Sequence, residues 1–149
     1  MTTFKTMFLA SALIVSAGSL AMAQSASTVG AGSSTTGAAS GGTGGSAAAG
    51  GTSASTLGLG GTSGGSSSLG TAGSAAGGTR DTSSSKVHGN ANNMNGMSKA
   101  RAQDKGTWSD SKTHTKIHKG EVSSRTKSMA HEPGSKPVKS TTGINTGKQ

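Results

Sequence analysis

The 149-residue chain contains no cysteine and no tyrosine, one tryptophan, two prolines and two phenylalanines, both of the latter within the first eight residues. Each shortage excludes something. Without cysteine there is no disulfide framework, the usual support of a small exported domain with a thin core, and no residue to carry a lipoprotein anchor. Without interleaved aromatics there is no stacking platform for single-stranded nucleic acid. Acidic groups are scarce, five against 14 Lys and Arg, which gives a net charge of +9. Charge of either sign is missing between Lys5 and Arg80. These totals exclude most enzyme classes.

What is present begins with a leader. Lys5 precedes the apolar run Met7 to Ala17, and Ala21-Met22-Ala23 follows with small residues where a signal peptidase acts. The run would make about 16 Å of helix, roughly half of a bilayer core. Residues 1–23 therefore read as a signal-peptide helix, with Ala21 and Ala23 at the cleavage site and Gln24 as the first mature residue. The segment resembles the signal peptides of Gram-negative exported proteins, which implies a periplasmic or extracellular product with no membrane span after cleavage.

Residues 24–79 are built almost wholly from Gly, Ser, Ala and Thr and carry no charge. Such a composition reads as a flexible low-complexity spacer. The strings GTGGSAAAGGT (42–52) and GTAGSAAGGT (70–79) are near copies, but neither holds a large apolar residue to stack on its neighbour, so they read as slippage within a biased segment. Gly61 to Gly65 fits the G-x-S-x-G string of serine hydrolases, and Gly42 to Ala47 fits a dinucleotide fingerprint. Both lack the flanking strand and helix that give those motifs their chemistry. Gly143 to Lys148 is one residue short of a phosphate loop and has no Ser or Thr after the lysine.

Residues 80–149 hold all of the mature charge and read as a basic tail. Ser98 to Lys105 (SKARAQDK) is suited to a short transient helix, marginal without a packing partner. Thr113, Thr115 and Ile117 alternate with His114, Lys116 and His118 as in a strand, although a lone strand does not persist. Pro133 and Pro137 bracket a loop, and Gly89 to Gly96 reads as a loop or coil. Counting only the large apolar side chains of the mature chain, the burial available falls several-fold below the entropy of ordering it. The fold class expected is intrinsic disorder with no globular core, in a monomeric chain.

Function follows from that state. Lys112, Lys116, Lys119, Arg125 and Lys127 concentrate positive charge, so a flexible tail would attach electrostatically to anionic envelope polymers or lipids, and non-specifically to nucleic acid. Trp108 could dip into a membrane interface beside them. His114 and His118, four apart, would share a helix face, and His131 could fold back to complete a metal site. In composition the chain also resembles the hydrophilins, a likeness that implies protection of other molecules during water loss. No cofactor and no catalytic residue are expected.

Overall fold

The computed structural model describes residues 24–35, 38–63, 65–90 and 92–146, and these form two antiparallel sheets laid face to face. The first comprises β1 (Ser25–Thr35), β2 (Ala38–Ala49), β3 (Thr52–Ser63) and β4 (Ser66–Ala76). The second comprises β5 (Arg80–Asn90), β6 (Asn93–Asp104), β7 (Thr107–His118), β8 (Glu121–His131) and β9 (Val138–Thr146). Both are simple meanders in which each strand pairs with the next. At about 3.3 Å per residue the longer strands run close to 40 Å. We refer to them as sheet A and sheet B.

The turns explain the regularity. Gly50-Gly51, Lys105-Gly106 and Lys119-Gly120 each have positive φ at both positions, the two-residue geometry whose twist matches that of the flanking strands. In the sequence, glycine recurs every fourteen residues at 37, 51 and 65, and again at 106, 120 and 134. Twelve residues of strand and two of turn make that period. Between β8 and β9, Pro133 and Gly134 form a wider turn closed by Ser135 N–H donating to Glu132 C=O at 3.1 Å. The change from uncharged to basic composition falls where the chain crosses from β4 to β5 and changes sheet.

Intrinsic disorder is thus not the state of the described residues, and those between 24 and 76 form a sheet, not a flexible spacer. The error lies in what counts as core-forming. Inward rows of sheet A read Ala26-Ala47-Ala54-Ala75, Thr28-Gly45-Thr56-Gly73 and Gly30-Thr43-Gly58-Thr71 across the four strands. In the last two, threonine and glycine alternate like a checkerboard. Opposite them sheet B presents Ser111, Thr113, Thr115, Ser124, Thr126 and Ser128, all buried. Hydroxyls then pair across the gap: Thr43 with Ser124 at 2.7 Å, Thr56 with Ser111 at 2.7 Å and Thr113 at 2.8 Å, Thr52 with Ser109 at 2.9 Å. Serine also reaches the opposing backbone, as where Ser111 Oγ donates to Gly45 C=O at 3.1 Å.

Apolar residues cap this polar middle. Ile117, Val122 and Ala39 are buried together, with Leu69 and Met94 packed on them, and Ala47, Ala49 and Ala130 close the other end. Small side chains lose little or no rotamer entropy on burial, and the paired strands add ladder hydrogen bonds worth about 0.5–1.5 kcal/mol each. An inventory of large apolar residues misses both terms.

Three other expectations are corrected. Ser98 to Lys105 is not helical: Ser98 to Asp104 lies in β6, with Ser98, Ala100 and Ala102 buried on alternate positions. In the glycine-flanked segment Asn90 to Asn95, Asn90 ends β5 and Asn93 to Asn95 begin β6, so these residues are strand and not coil. The near-copies at 42–52 and 70–79 are structural, since Thr43 and Thr71 share one inner row, Gly45 and Gly73 another, and Ser46 and Ser74 an outer one. The signal-peptide helix of residues 1–23, with Ala21 and Ala23, lies outside the described residues.

Two substitutions test the interior. A methyl added at Gly58 meets Thr115 Oγ1, with Thr113 Cγ2 2.7 Å away, so Gly58→Ala should lower unfolding free energy by about 1–3 kcal/mol through overpacking. Thr126 bonds both Thr43 and Thr113, so Thr126→Val, nearly isosteric, should cost about 1–3 kcal/mol by leaving buried hydroxyls short of a partner. Denaturant midpoints of a cooperative transition give both numbers, and Thr126→Ser should lie nearer the parent than Thr126→Val.

Candidate functional site

Strand alternation sorts the side chains of sheet B. Small residues turn inward, and the outward positions take nearly all of the charge. Across the strands the outer rows read Lys86-Met97-His114-Arg125-Gly143, Ser84-Lys99-Lys112-Lys127-Thr141 and Thr82-Arg101-Asp110-Met129-Lys139. Lys112, Lys116, Arg125 and Lys127 therefore share one face, whereas Lys119 sits in the β7–β8 turn. Lys86, Lys99, Arg101 and Lys139 join them. Sequence reasoning missed these four because it weighed charge density along the chain and not the alternation that gathers it.

Lys99, Lys112 and Lys127 stand directly abreast on β6, β7 and β8. Directly opposed residues have Cβ atoms about 4.5–5.5 Å apart, and like charges so placed are destabilising. The single ion pair among the described residues is Lys112 Nζ with Asp110 Oδ1 at 3.6 Å, and the Lys112 side chain is 56% exposed. A surface pair of that kind is worth about 0–1 kcal/mol. Beside the row, a shallow trough of about 560 Å³ lies over Gly143, bordered by His114, Lys116, Ser123, Arg125 and Asn145.

The histidines do not assemble. On a strand, four residues separate His114 from His118 by about 13 Å, far beyond a shared ion with bonds near 2 Å. His131 faces Trp108 at the opposite end of β7. His114 instead contacts Asn95 Oδ1 at 2.5 Å, and His118 contacts Asn93. Among the described residues no three His, Cys, Asp or Glu side chains converge on a common point. The metal-binder reading assumed helical spacing and fails with it.

Trp108 is half-buried, its ring centroid 5.6 Å from that of His131 and 5.8 Å from the Arg101 guanidinium. It is held in the sheet surface. Gln24 Nε2 donates to Lys136 C=O at 3.0 Å, tying the start of β1 to the β8–β9 connection. The two catalytic-looking strings are plain strand: Gly42 to Ala47 lies in β2, and Ser63 ends β3 opposite Ser66, with all four histidines in the other sheet. Among the described residues no helix is long and apolar enough to cross a membrane.

The outward face of sheet A has the opposite character and carries no charged residue. Its rows read Ser27-Ser46-Ser55-Ser74, Val29-Gly44-Leu57-Ala72, Ala31-Gly42-Leu59-Gly70 and Ser33-Ser40-Gly61-Ser68. Serines bond within their rows, Ser27 to Ser46 at 3.0 Å and Ser55 to Ser74 at 2.8 Å. Val29, Leu57 and Leu59 remain 58%, 41% and 55% exposed. Leu57 and Leu59 lean over Gly44 and Gly42, where an added methyl would touch them, and so level the face.

Searches against protein families, characterised proteins and solved structures find no match. Attachment to polyanions by a flexible basic tail does not stand, because the basic residues from Arg80 onward lie on or between the paired strands β5 to β9. The hydrophilin likeness fails for the same reason: a packed sandwich is not an unfolded hydrophilic chain.

Relieving the lysine row should stabilise the fold. Lys112→Gln removes a charge that opposes two neighbours at the cost of one exposed ion pair, so stability should rise by up to about 1 kcal/mol. Added salt should raise the melting temperature of the parent more than that of the variant. Equal salt responses in the two melts would show that the row is already screened.

Proposed function

We propose that the chain is a non-catalytic structural protein that acts outside the cytoplasmic membrane by surface contact, as a stiff two-faced plate. The observation that carries this reading is the segregation of charge. Sheet A has no charged residue on either side, while sheet B points its basic residues outward in rows. A chain that served only as a solvated filler would have no need to separate them. Stiffness comes from the two ladders and the hydroxyl pairs between them, which require no disulfide in an oxidising compartment. The leader-like residues 1–23 support the external location. Each part of the outer surface offers many weak contacts in fixed geometry, a design suited to holding a place in an assembly.

Fractionation with surface labelling tests this. In producing cells, an amine reagent unable to cross the cytoplasmic membrane should modify Lys99, Lys112 and Lys127 on a chain that begins at Gln24. A chain that begins at Met1 and reacts only after the cytoplasm is opened would overturn the external role.

A further inference from the structure

We infer that two copies of this chain pair face to face through the outer surfaces of their sheets A. The inference rests on the two-faced reading above but not on the external location. Four observations carry it.

The first is charge. A chain of net charge +9 meets repulsion from a second copy in most orientations. Among the described residues the outer face of sheet A carries none, and pairing there leaves the two cationic faces on opposite outsides of a four-layer stack.

The second is chemistry. The outer face shares alanine and glycine with the face that sheet A buries against sheet B, and carries serine where the inner face carries threonine, plus Val29, Leu57 and Leu59. Its inner counterpart shows that such a surface packs closely. Face-to-face association of sheets is the ordinary geometry of sandwiches.

The third is layout. Val29, Leu57 and Leu59 form an exposed apolar band at the centre, and serine rows flank it on both sides. An apolar middle with a polar rim is the anatomy of protein–protein interfaces. The face is level because the leucines lie over glycines, so a flat partner can cover it.

The fourth is area. Four strands about 4.8 Å apart and close to 36 Å long present about 700 Å² per copy, near the roughly 800 Å² per partner of a standard stable interface. The contact is isologous, the same patch on both copies, and it closes at two.

Sedimentation equilibrium of the purified protein, across a range of concentrations, tests the pairing. A reversible dimer is expected. Leu59→Asp should weaken it by at least about thirty-fold, as for the loss of a central anchor, while leaving the far-ultraviolet dichroism unchanged. Val29→Asp on β1 serves as a second variant should Leu59→Asp perturb β3. Lys112→Glu on the opposite face should leave dimerisation intact. A parent that stays monomeric throughout, or a dimer indifferent to both aspartates and dissolved by Lys112→Glu, would overturn the inference. None of these readouts depends on where the cell places the chain, so its failure and that of the external role are separable.

Discussion

Everything in this molecule depends on how closely two sheets can approach when the side chains between them are no larger than threonine over most of the gap. The threonine and glycine checkerboard of sheet A sets that distance. Where glycine sits, at Gly45 or Gly58, a serine or threonine of sheet B fills the space, and a methyl group there would collide with Ser128 Oγ or Thr115 Oγ1. At Thr28, Thr43, Thr52 and Thr56 the threonine hydroxyl finds one on the other side, as Thr43 finds Ser124, while Thr71 Oγ1 is buried without a partner. Buried hydroxyls are costly when unpaired, so the arrangement works only because the rows match in register on both sheets. A core of this kind is specific in a way that a greasy one is not, since a slip of one position would leave many donors stranded together.

The same close stacking protects the edges. β1 and β4 bound sheet A without a charge or a proline, which on an open edge invites pairing with another chain. Yet β4 packs on both β5 and β6, and β1 on both β8 and β9. Five strands thus straddle four, and sheet B projects beyond sheet A, most of all at β5, whose residues are all exposed. A strand approaching β4 or β1 must also accommodate that ledge. The ledge itself is guarded, by Arg80, Asp81 and Lys86 on β5 and by Lys139 with the preceding Pro137 on β9. Growth by edge pairing is thereby disfavoured without any protection on β1 or β4 themselves.

Some of this could be read in the sequence. The alternation from Thr113 to His118 marks β7 and its two faces correctly, and the prolines at 133 and 137 mark the one long connection. The gathering of Lys112, Lys116, Arg125 and Lys127 was visible as density, though not as a face. What stayed hidden did so for a physical reason. Period-two patterning announces a strand most clearly when one side is apolar and the other polar, and in β1 to β4 the sides differ mainly by threonine within and serine without, among alanine and glycine on both. The signal that was available is the recurrence of glycine in the sequence, fourteen apart at 37, 51 and 65 and again at 106, 120 and 134, with Gly-Gly or Lys-Gly pairs suited to two-residue hairpins. Read for composition, those glycines argue for a coil. Taken as punctuation, they give the length and number of the strands.

The two sheets therefore carry different amounts of information about the fold. Register is strongly specified where one face is distinct from the other and weakly specified in glycine-rich strands with similar faces. Sheet B is of the first kind: displacing β7 by one residue would bury His114, Lys116 and His118 and expose Ile117. Sheet A is closer to the second kind, its faces differing mainly by threonine within and serine without. Its register is fixed from outside, by the fixed-length turns that join its strands and by the hydroxyl rows of sheet B onto which Thr43, Thr52 and Thr56 must fit. The face that sheet B rejects is then left pointing outward, close in chemistry to the face that it accepts. An uncharged, packable outer surface is the direct consequence of building half a sandwich from small, uncharged residues on both of its sides.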